Sequence, residues 1–265
     1  MSVLVDSHCH LDRVDLEAFG GSRAALMGEA EKFDVQAMLC VGVNLETAEE
    51  VKAIAREFPN VYASVGKHPT EYEGEEVSVE RLLALANDPK VIALGETGLD
   101  YYFADTKEEV QQARFAMHIA AAKASNKSLI IHTRNARAHT LQLLRSEGAE
   151  KGVFHCFTED WDMAKAGLDL GFYISFSGIL TFKNAESLRE VAKSVPLNRI
   201  LVETDAPYLT PVPYRGKPNF PGYTRFVAEL IATIKGVSYE EVARQTTRNF
   251  EDLFQVKVLG GRKCT

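Results

Sequence analysis

Eight short apolar runs, rich in Val, Ile and Leu, recur at Val3–Val5, Ala37–Val43, Val61–Val65, Val91–Leu94, Leu129–Ile131, Val153–Phe154, Phe172–Phe176 and Ile200–Val202. Longer stretches of helical period lie between them, an alternation that marks repeated βα units. Uninterrupted apolar runs suit strands buried on both faces, as in a parallel sheet covered by helices. Within 106–125, Val110, Ala113, Met117, Ala121 and Ala124 trace one predicted apolar stripe. Ser238 and Glu241 form a capping box ahead of a helix carrying Val242, Thr246, Phe250 and Leu253. Eight strands with intervening helices predict an α/β fold of the TIM (β/α)8 barrel type. The alternative is a doubly wound open sheet, whose first strand usually enters a Gly-rich phosphate turn. Here the first run enters Asp6-Ser7-His8-Cys9-His10 instead. No repeat, low-complexity tract or Pro/Gly/Ser linker divides the chain, which predicts one barrel domain over 1–256 and a short tail over 257–265 with no evident role.

A barrel makes the placement of polar residues informative, because its chemistry sits at the C-terminal strand ends. Such ends occupy about a tenth of a chain, so the seven histidines, scattered at random, would put roughly one there. His8 and His10 follow the first run, His68 the third, His132 the fifth and His155 the sixth, while Glu96 and Asp205 close the fourth and eighth. Side chains two apart on an extended segment point the same way. His8 and His10 can therefore enter the mouth together and bind one metal, with Cys9 turned away as core filler. Imidazoles and carboxylates suit Zn, Mn or Fe, whereas Mg prefers oxygen. His118 and His139 fall in helical stretches and read as packing or surface residues, and Cys40 and Cys156 read as packing.

Composition narrows the substrate footprint. A net charge of −7 argues against a broad basic surface that grips nucleic acid through many phosphates. It leaves room for a cleft that holds one or two phosphates, where bound cations bring their own positive charge. Four cysteines (Cys9, Cys40, Cys156, Cys264) without CxxC spacing point to reduced thiols in a cytoplasmic protein. No apolar run approaches the ~20 residues a bilayer requires, and no secretory signal is evident at the start. Neither a membrane nor an obligate protein partner is expected.

The blocks DSHCHLD, VGKHP at 65–69, GETGLDYY at 95–102, IHTRNA at 131–136, HCFT at 155–158, GFYISFSG at 171–178 and VETDAPYLTPVPYRGKPN at 202–219 resemble the TatD family of metal-dependent deoxyribonucleases, from Val5 to about Phe254. The resemblance implies a TIM barrel related to the amidohydrolases and a centre of two divalent ions (Mg, Mn or Zn). It implies that His8, His10, Glu96 and Asp205 hold one metal and that Glu96, His132 and His155 hold the other, with Glu96 bridging. Several related amidohydrolases bridge their metals with a carboxylated lysine at the fourth strand, where this chain has Glu96. Many family members carry a second histidine after the His-Pro pair, where this chain has Thr70. The implied activity is cleavage of single-stranded DNA or oligonucleotide ends from the 3′ side.

Two ions in such a centre can activate a water and stabilise the oxygens of a phosphoryl displacement. Asp205 is then the expected general base. Phosphates need cations, and Arg134, Arg215 and Lys217 are candidate contacts, with His68 and Lys67 as further ones. Tyr101, Tyr102, Phe157 and Tyr214 are candidates for stacking on bases. The rival enzyme is an amidohydrolase acting on a C–N or ester bond, which would not need the cationic residues. A non-catalytic metal-binding protein would need neither them nor an open coordination position.

Overall fold

The apolar runs become β1 (Leu4–Cys9), β2 (Val35–Val41), β3 (Val61–Val65), β4 (Val91–Asp100), β5 (Ser128–Arg134), β6 (Gly152–Phe154), β7 (Tyr173–Phe176) and β8 (Ile200–Val202) in the computed structural model, which describes residues 3–103 and 106–258. Each strand pairs in parallel with the next, in the order β1 to β8. The ring closes through the segment after β8. Asp205 N donates to the His8 carbonyl (2.9 Å) and His10 N to the Ala206 carbonyl (2.8 Å). The Asp6 carboxylate adds to this seam by accepting from Thr204 N at 2.9 Å. The result is a TIM barrel.

Helices separate the strands: α1 (Arg23–Glu31), α2 (Ala48–Glu57), α3 (Val79–Ala86), α4 (Glu108–Ser125), α5 (Arg137–Ser146), α6 (Trp161–Asp169), α7 (Glu186–Ser194) and α8 (Thr224–Lys235), with α9 (Tyr239–Phe254) following α8. Strand residues alternate between two buried clusters. Leu4, Met38, Leu94, Leu129, Phe154 and Ile174 pack with the helices. Val5, Leu39, Ile92, Ile130, Val153 and Leu201 point the other way, into the barrel, where they meet Phe250, Leu253 and Phe254 of α9. Ser238 caps α9, its hydroxyl accepting from Glu241 N at 3.1 Å. The C-terminal helix thus plugs the floor.

Three strands run further than their apolar runs. β1 takes in His8, β4 continues through Glu96 to Asp100, and β5 through His132 to Arg134. The ladder explains this, since Gly98 still pairs with His132 and Asp100 with Arg134. Backbone pairing does not stop at the first polar side chain. At Gly98 (φ +137°) a Cβ would collide with the His132 carbonyl, so the two strands approach this closely only with glycine there.

The stripe expected on α4 is not the buried one. Val110, Ala113 and Ala124 are exposed, while Gln111, Arg114, Phe115, His118, Ile119 and Ala122 are buried. The true face keeps the 3.6 period but places polar residues at three of its positions, so an apolar count selects the wrong side. The start of the expected tail also belongs to the floor. Tyr62 Oη donates to the Lys257 carbonyl (3.0 Å), Val258 N donates to Glu251 Oε1 (2.9 Å), and Val256 and Val258 pack on the inner cluster. Residues 259–265, Cys264 included, lie outside the described residues. Among the described residues no helix is long and apolar enough to cross a membrane.

Candidate metal centre

Six strand ends deliver polar side chains to the mouth. His8 lies within β1 and His10 just beyond it, Glu96 in β4 and His132 in β5; His155 follows β6 directly, and His68 and Asp205 lie in the segments after β3 and β8. Glu96 is the partner of four of the histidines. Its Oε2 is 3.4 Å from His8 Nε2. Its Oε1 is 2.7 Å from His155 Nε2, 3.2 Å from His132 Nδ1 and 3.3 Å from His68 Nε2. Asp205 Oδ1 lies 3.3 Å from His10 Nε2 and 3.6 Å from His8 Nε2. Oε1 of Glu96 therefore faces three imidazoles and Oε2 a fourth, that of His8, so the carboxylate lies between the donors of the two sides.

Outward hydrogen bonds set the tautomers. His10 Nδ1 faces the Val41 carbonyl (3.0 Å), His132 Nε2 faces Asp100 Oδ2 (2.9 Å), and His155 Nδ1 faces Glu203 Oε1 (3.3 Å). A ring that donates outward turns the lone pair of its other nitrogen inward, as metal ligation requires. His155 Nε2 is buried and has no hydrogen-bond partner, although Glu96 Oε1 is 2.7 Å away. Two lone pairs at that separation repel unless a proton or a cation lies between them. The donor set is accordingly chemically suited to divalent cations of the Zn or Mn kind.

His68 is oriented the opposite way. Its Nδ1 accepts from Thr70 N at 3.2 Å, with Thr70 Oγ1 at 2.7 Å. An amide nitrogen can act here only as a donor, so the ring proton sits on Nε2, towards Glu96. His68 is thereby a donor to Glu96, and it also lines the cavity above the centre, where a substrate contact is expected of it. Ligand atoms lying within 4.8 Å of one another group His8 with His10 and Glu96, His68 with Glu96 and His132, and His8 with His155 and Asp205. His155, expected beside His132, is thus shared between Glu96 and the Asp205 side.

The charges fit this picture. Burial opposes ionisation of Glu96, but His155, His68 and His132 outweigh it and hold the carboxyl well below its usual range. Burial likewise opposes charge on Asp205, and His10 and His8 outweigh it. Burial keeps His8 and His68 low. His10, His132 and His155 are raised against burial by the carboxylates beside them. A cation bound among these rings would take the place of any proton on their inward nitrogens, so binding would release protons.

The centre opens on a cavity of 510 Å³ whose wall includes Arg13, Arg134, Cys156 and Tyr208. Arg134 lies over the Tyr102 ring at 3.8 Å. Arg215 and Lys217 do not line it: Arg215 donates to the Thr210 carbonyl (3.0 Å) and lies over Phe182, and Lys217 sits near Tyr214. Lys67 is no contact either, since its buried Nζ donates to the carbonyls of Glu73 (2.8 Å) and Glu75 (2.9 Å). Of the stacking candidates, Phe157 is core, Tyr214 stacks on Tyr223, and Tyr101 bonds His139, while Tyr102 is exposed. Cys156 stands on the cavity wall, its Sγ 3.2 Å from Ser177 Oγ, and not in the packed interior expected for it. Sequence reasoning missed Asp100, Glu203, Arg13 and Tyr208. Asp100 and Glu203 carried a signal, as carboxylates in the same blocks as Glu96 and Asp205 that prove almost wholly buried.

The model of the family described as TatD related DNase matches residues 5–255. The chain is 49% identical over 255 residues to the metal-dependent hydrolase YcfH of Escherichia coli strain K12, covering 96% of each. It is 37% identical over 257 residues to the metal-dependent hydrolase YabD of Bacillus subtilis strain 168, covering 96% of this chain and 100% of that one. The crystal structure of YjjV, a TatD homologue from Escherichia coli, superposes with a TM-score of 0.89 at 28% identity, over 96% of this chain and 98% of the other. A phosphotriesterase homology protein from Escherichia coli shares the fold at a TM-score of 0.68 and 18% identity, over 96% of this chain and 99% of that one.

Proposed function

The chain belongs to the family of TatD-related DNases and is a metal-dependent hydrolase, and from that premise we propose that it cleaves phosphodiester bonds of single-stranded DNA from the 3′ end, releasing nucleotides. One observation supports this most: Glu96 faces four imidazoles beneath a 510 Å³ cavity whose wall carries two guanidinium groups, Arg13 and Arg134. A neutral amide or lactone would not need the two cations.

Two divalent ions (Mg, Mn or Zn) held by His8, His10, Glu96, His132, His155 and Asp205 would, when bound, acidify a water and neutralise charge on the phosphoryl oxygens. The chain's side chains supply the rest. Asp205, kept ionised by His10 and His8, accepts the proton of the attacking water as general base. Glu96 keeps the two donor groups in register, and the Nε2–H of His68 fixes its Oε1. Arg134 and Arg13 offer planar, permanently charged forks to substrate phosphates. Tyr102 and Tyr208, exposed by 57% and 48%, offer faces on which bases stack. A cleft in a chain of net charge −7 suits an exposed strand end better than a duplex. The unpaired Cys9, Cys40 and Cys156 fit a reducing, cytoplasmic setting.

The test is the full chain loaded with Mn²⁺ and given single-stranded oligonucleotides labelled at the 3′ or the 5′ end, beside lactone and cyclic amide panels. Early release of the 3′ label as mononucleotide is expected. Turnover in the panels with no nucleotide release at any divalent metal would transfer the assignment to C–N or ester bonds.

A further inference from the structure

We propose that the buried polar face of α4 is a positioning device for one side of the metal centre, with Gln111 acting through Asp100 on His132, and His118 and Arg114 acting through segment 67–76 on His68. The inference rests on the metal-dependent reading of the centre and is independent of the substrate.

Gln111, Arg114 and His118 are nearly or fully buried and lie one turn apart along one face. Gln111 Oε1 accepts from Asp100 N (2.8 Å), and its Nε2 donates to the carbonyls of Asp100 (2.9 Å) and Thr106 (3.0 Å). Both backbone groups of Asp100 are thereby fixed, and its carboxylate takes His132 Nε2 at 2.9 Å. One turn on, Arg114 donates to the Glu71 carbonyl (2.8 Å) and its Nε to Glu76 Oε2 (3.1 Å). A further turn on, His118 Nδ1 donates to the Arg114 carbonyl (2.7 Å) and its Nε2 accepts from Lys67 N (3.1 Å), the residue before His68. Lys67 itself ties down the Glu73 and Glu75 carbonyls.

Burying three polar side chains on one helix face is costly compared with apolar packing, unless every bond is made. Here the bonds go to backbone or carboxylate groups bearing on His132 and His68, the two imidazoles that meet Glu96 Oε1 at 3.2 and 3.3 Å. A helix needed for packing alone would carry Leu or Ala at these positions. Outer partners of this kind typically change metal affinity or activity about 10–100-fold when removed.

The experiment is calorimetric titration of the metal-free full chain with Mn²⁺, compared across Gln111→Met, His118→Phe, His118→Gln and the reference variants His132→Ala and His10→Ala. Gln111→Met keeps the volume and deletes the bonds. It should weaken, at least tenfold, the Mn²⁺ binding that His132→Ala abolishes, and spare the binding that His10→Ala abolishes. The Mn²⁺ concentration for half-maximal turnover should rise in step, with kcat at saturating Mn²⁺ within about threefold of wild type. His118→Phe should act in the same direction, and His118→Gln, which keeps a donor and an acceptor, should recover part of the loss. Unchanged Mn²⁺ binding in both folded variants would overturn the proposal, as would weakening of all binding in proportion to a fall in Tm. If Gln111→Met does not fold, the His118 pair decides by the same criteria. Absence of Mn²⁺ binding in the wild-type chain would remove the centre and this proposal together, whereas failure to release nucleotides would leave it standing.

Discussion

The two ends of this barrel are made of opposite materials on the same strands. At the floor, Val5, Ile92, Ile130 and Val153 close against Phe250, Leu253 and Phe254. A few residues further along those strands stand His8, Glu96, His132 and His155. The floor needs nothing beyond its own packing, because each apolar group is satisfied by removal from water. The mouth is unfinished by itself, as carboxylates and imidazole lone pairs converge there and depend on protons or cations for their neutrality. Stability and chemistry are thus separated by one or two turns of the pleat, and each end should fail in its own way.

The largest effect belongs to the mouth. Removing the bridge with Glu96→Ala, or a ligand with His132→Ala, should forfeit several kcal/mol of charge stabilisation in the transition state, on the order of a thousandfold in rate. The variants should still unfold cooperatively. A metal-loaded Glu96→Ala protein cutting as fast as wild type would remove the mouth from the chemistry. The floor should behave inversely. Phe250→Ala leaves a cavity against the inner cluster and should cost about 3–5 kcal/mol in urea unfolding, while kcat of the folded fraction stays near wild type. A Phe250→Ala enzyme that stays as stable but loses turnover would blur the division between the ends.

The rim comes next. Arg134 on the cavity wall should bind a substrate phosphate through a charged hydrogen bond of about 1.5–3 kcal/mol, so Arg134→Ala should raise KM at least tenfold. Arg215, whose guanidinium is engaged with the Thr210 carbonyl and the Phe182 ring, serves as the comparison. Arg215→Ala should leave KM close to wild type, and an equal rise in both variants would return Arg215 to the substrate path.

Legibility followed the same division. Apolar runs identified all eight strands, because a strand buried on both faces has little else in it. They stopped short in β1, β4 and β5, where site residues continue the ladder. The ligand candidates were readable from their places at strand ends, since five separate ends do not converge by accident. The groups that orient them were less so: Glu203 and Asp100 share the sequence blocks of Asp205 and Glu96, but only the fold sets them against His155 and His132. On α4 the error was physical: a face that holds Gln111, Arg114 and His118 does not look like a core face until their partners are known. Arg215 and Lys217 show the reverse hazard, since proximity in sequence to Asp205 did not carry them to the cavity.

The last effect concerns His118, buried on α4. Burial lowers its pKa from 6.5 to about 4, with the neighbouring Arg114 carbonyl opposing that shift and the Arg114 charge adding to it. In the unfolded chain the ring takes up a proton near its ordinary pKa of about 6.5. In the folded chain Lys67 N already occupies the Nε2 lone pair, so uptake waits until about pH 4. Between those limits the unfolded state binds the extra proton, and stability falls as pH falls, by up to about 1.4 kcal/mol per unit. His118→Phe removes the titration from both states. The stability difference between wild type and His118→Phe should therefore move against wild type by about 2 kcal/mol from pH 7 to pH 5, with other titrating groups cancelling. Urea unfolding of both proteins across that range measures it. A difference independent of pH would mean that the ring titrates alike in the folded and unfolded chains, as a solvated ring does, and that the link from α4 to Lys67 is not made as described.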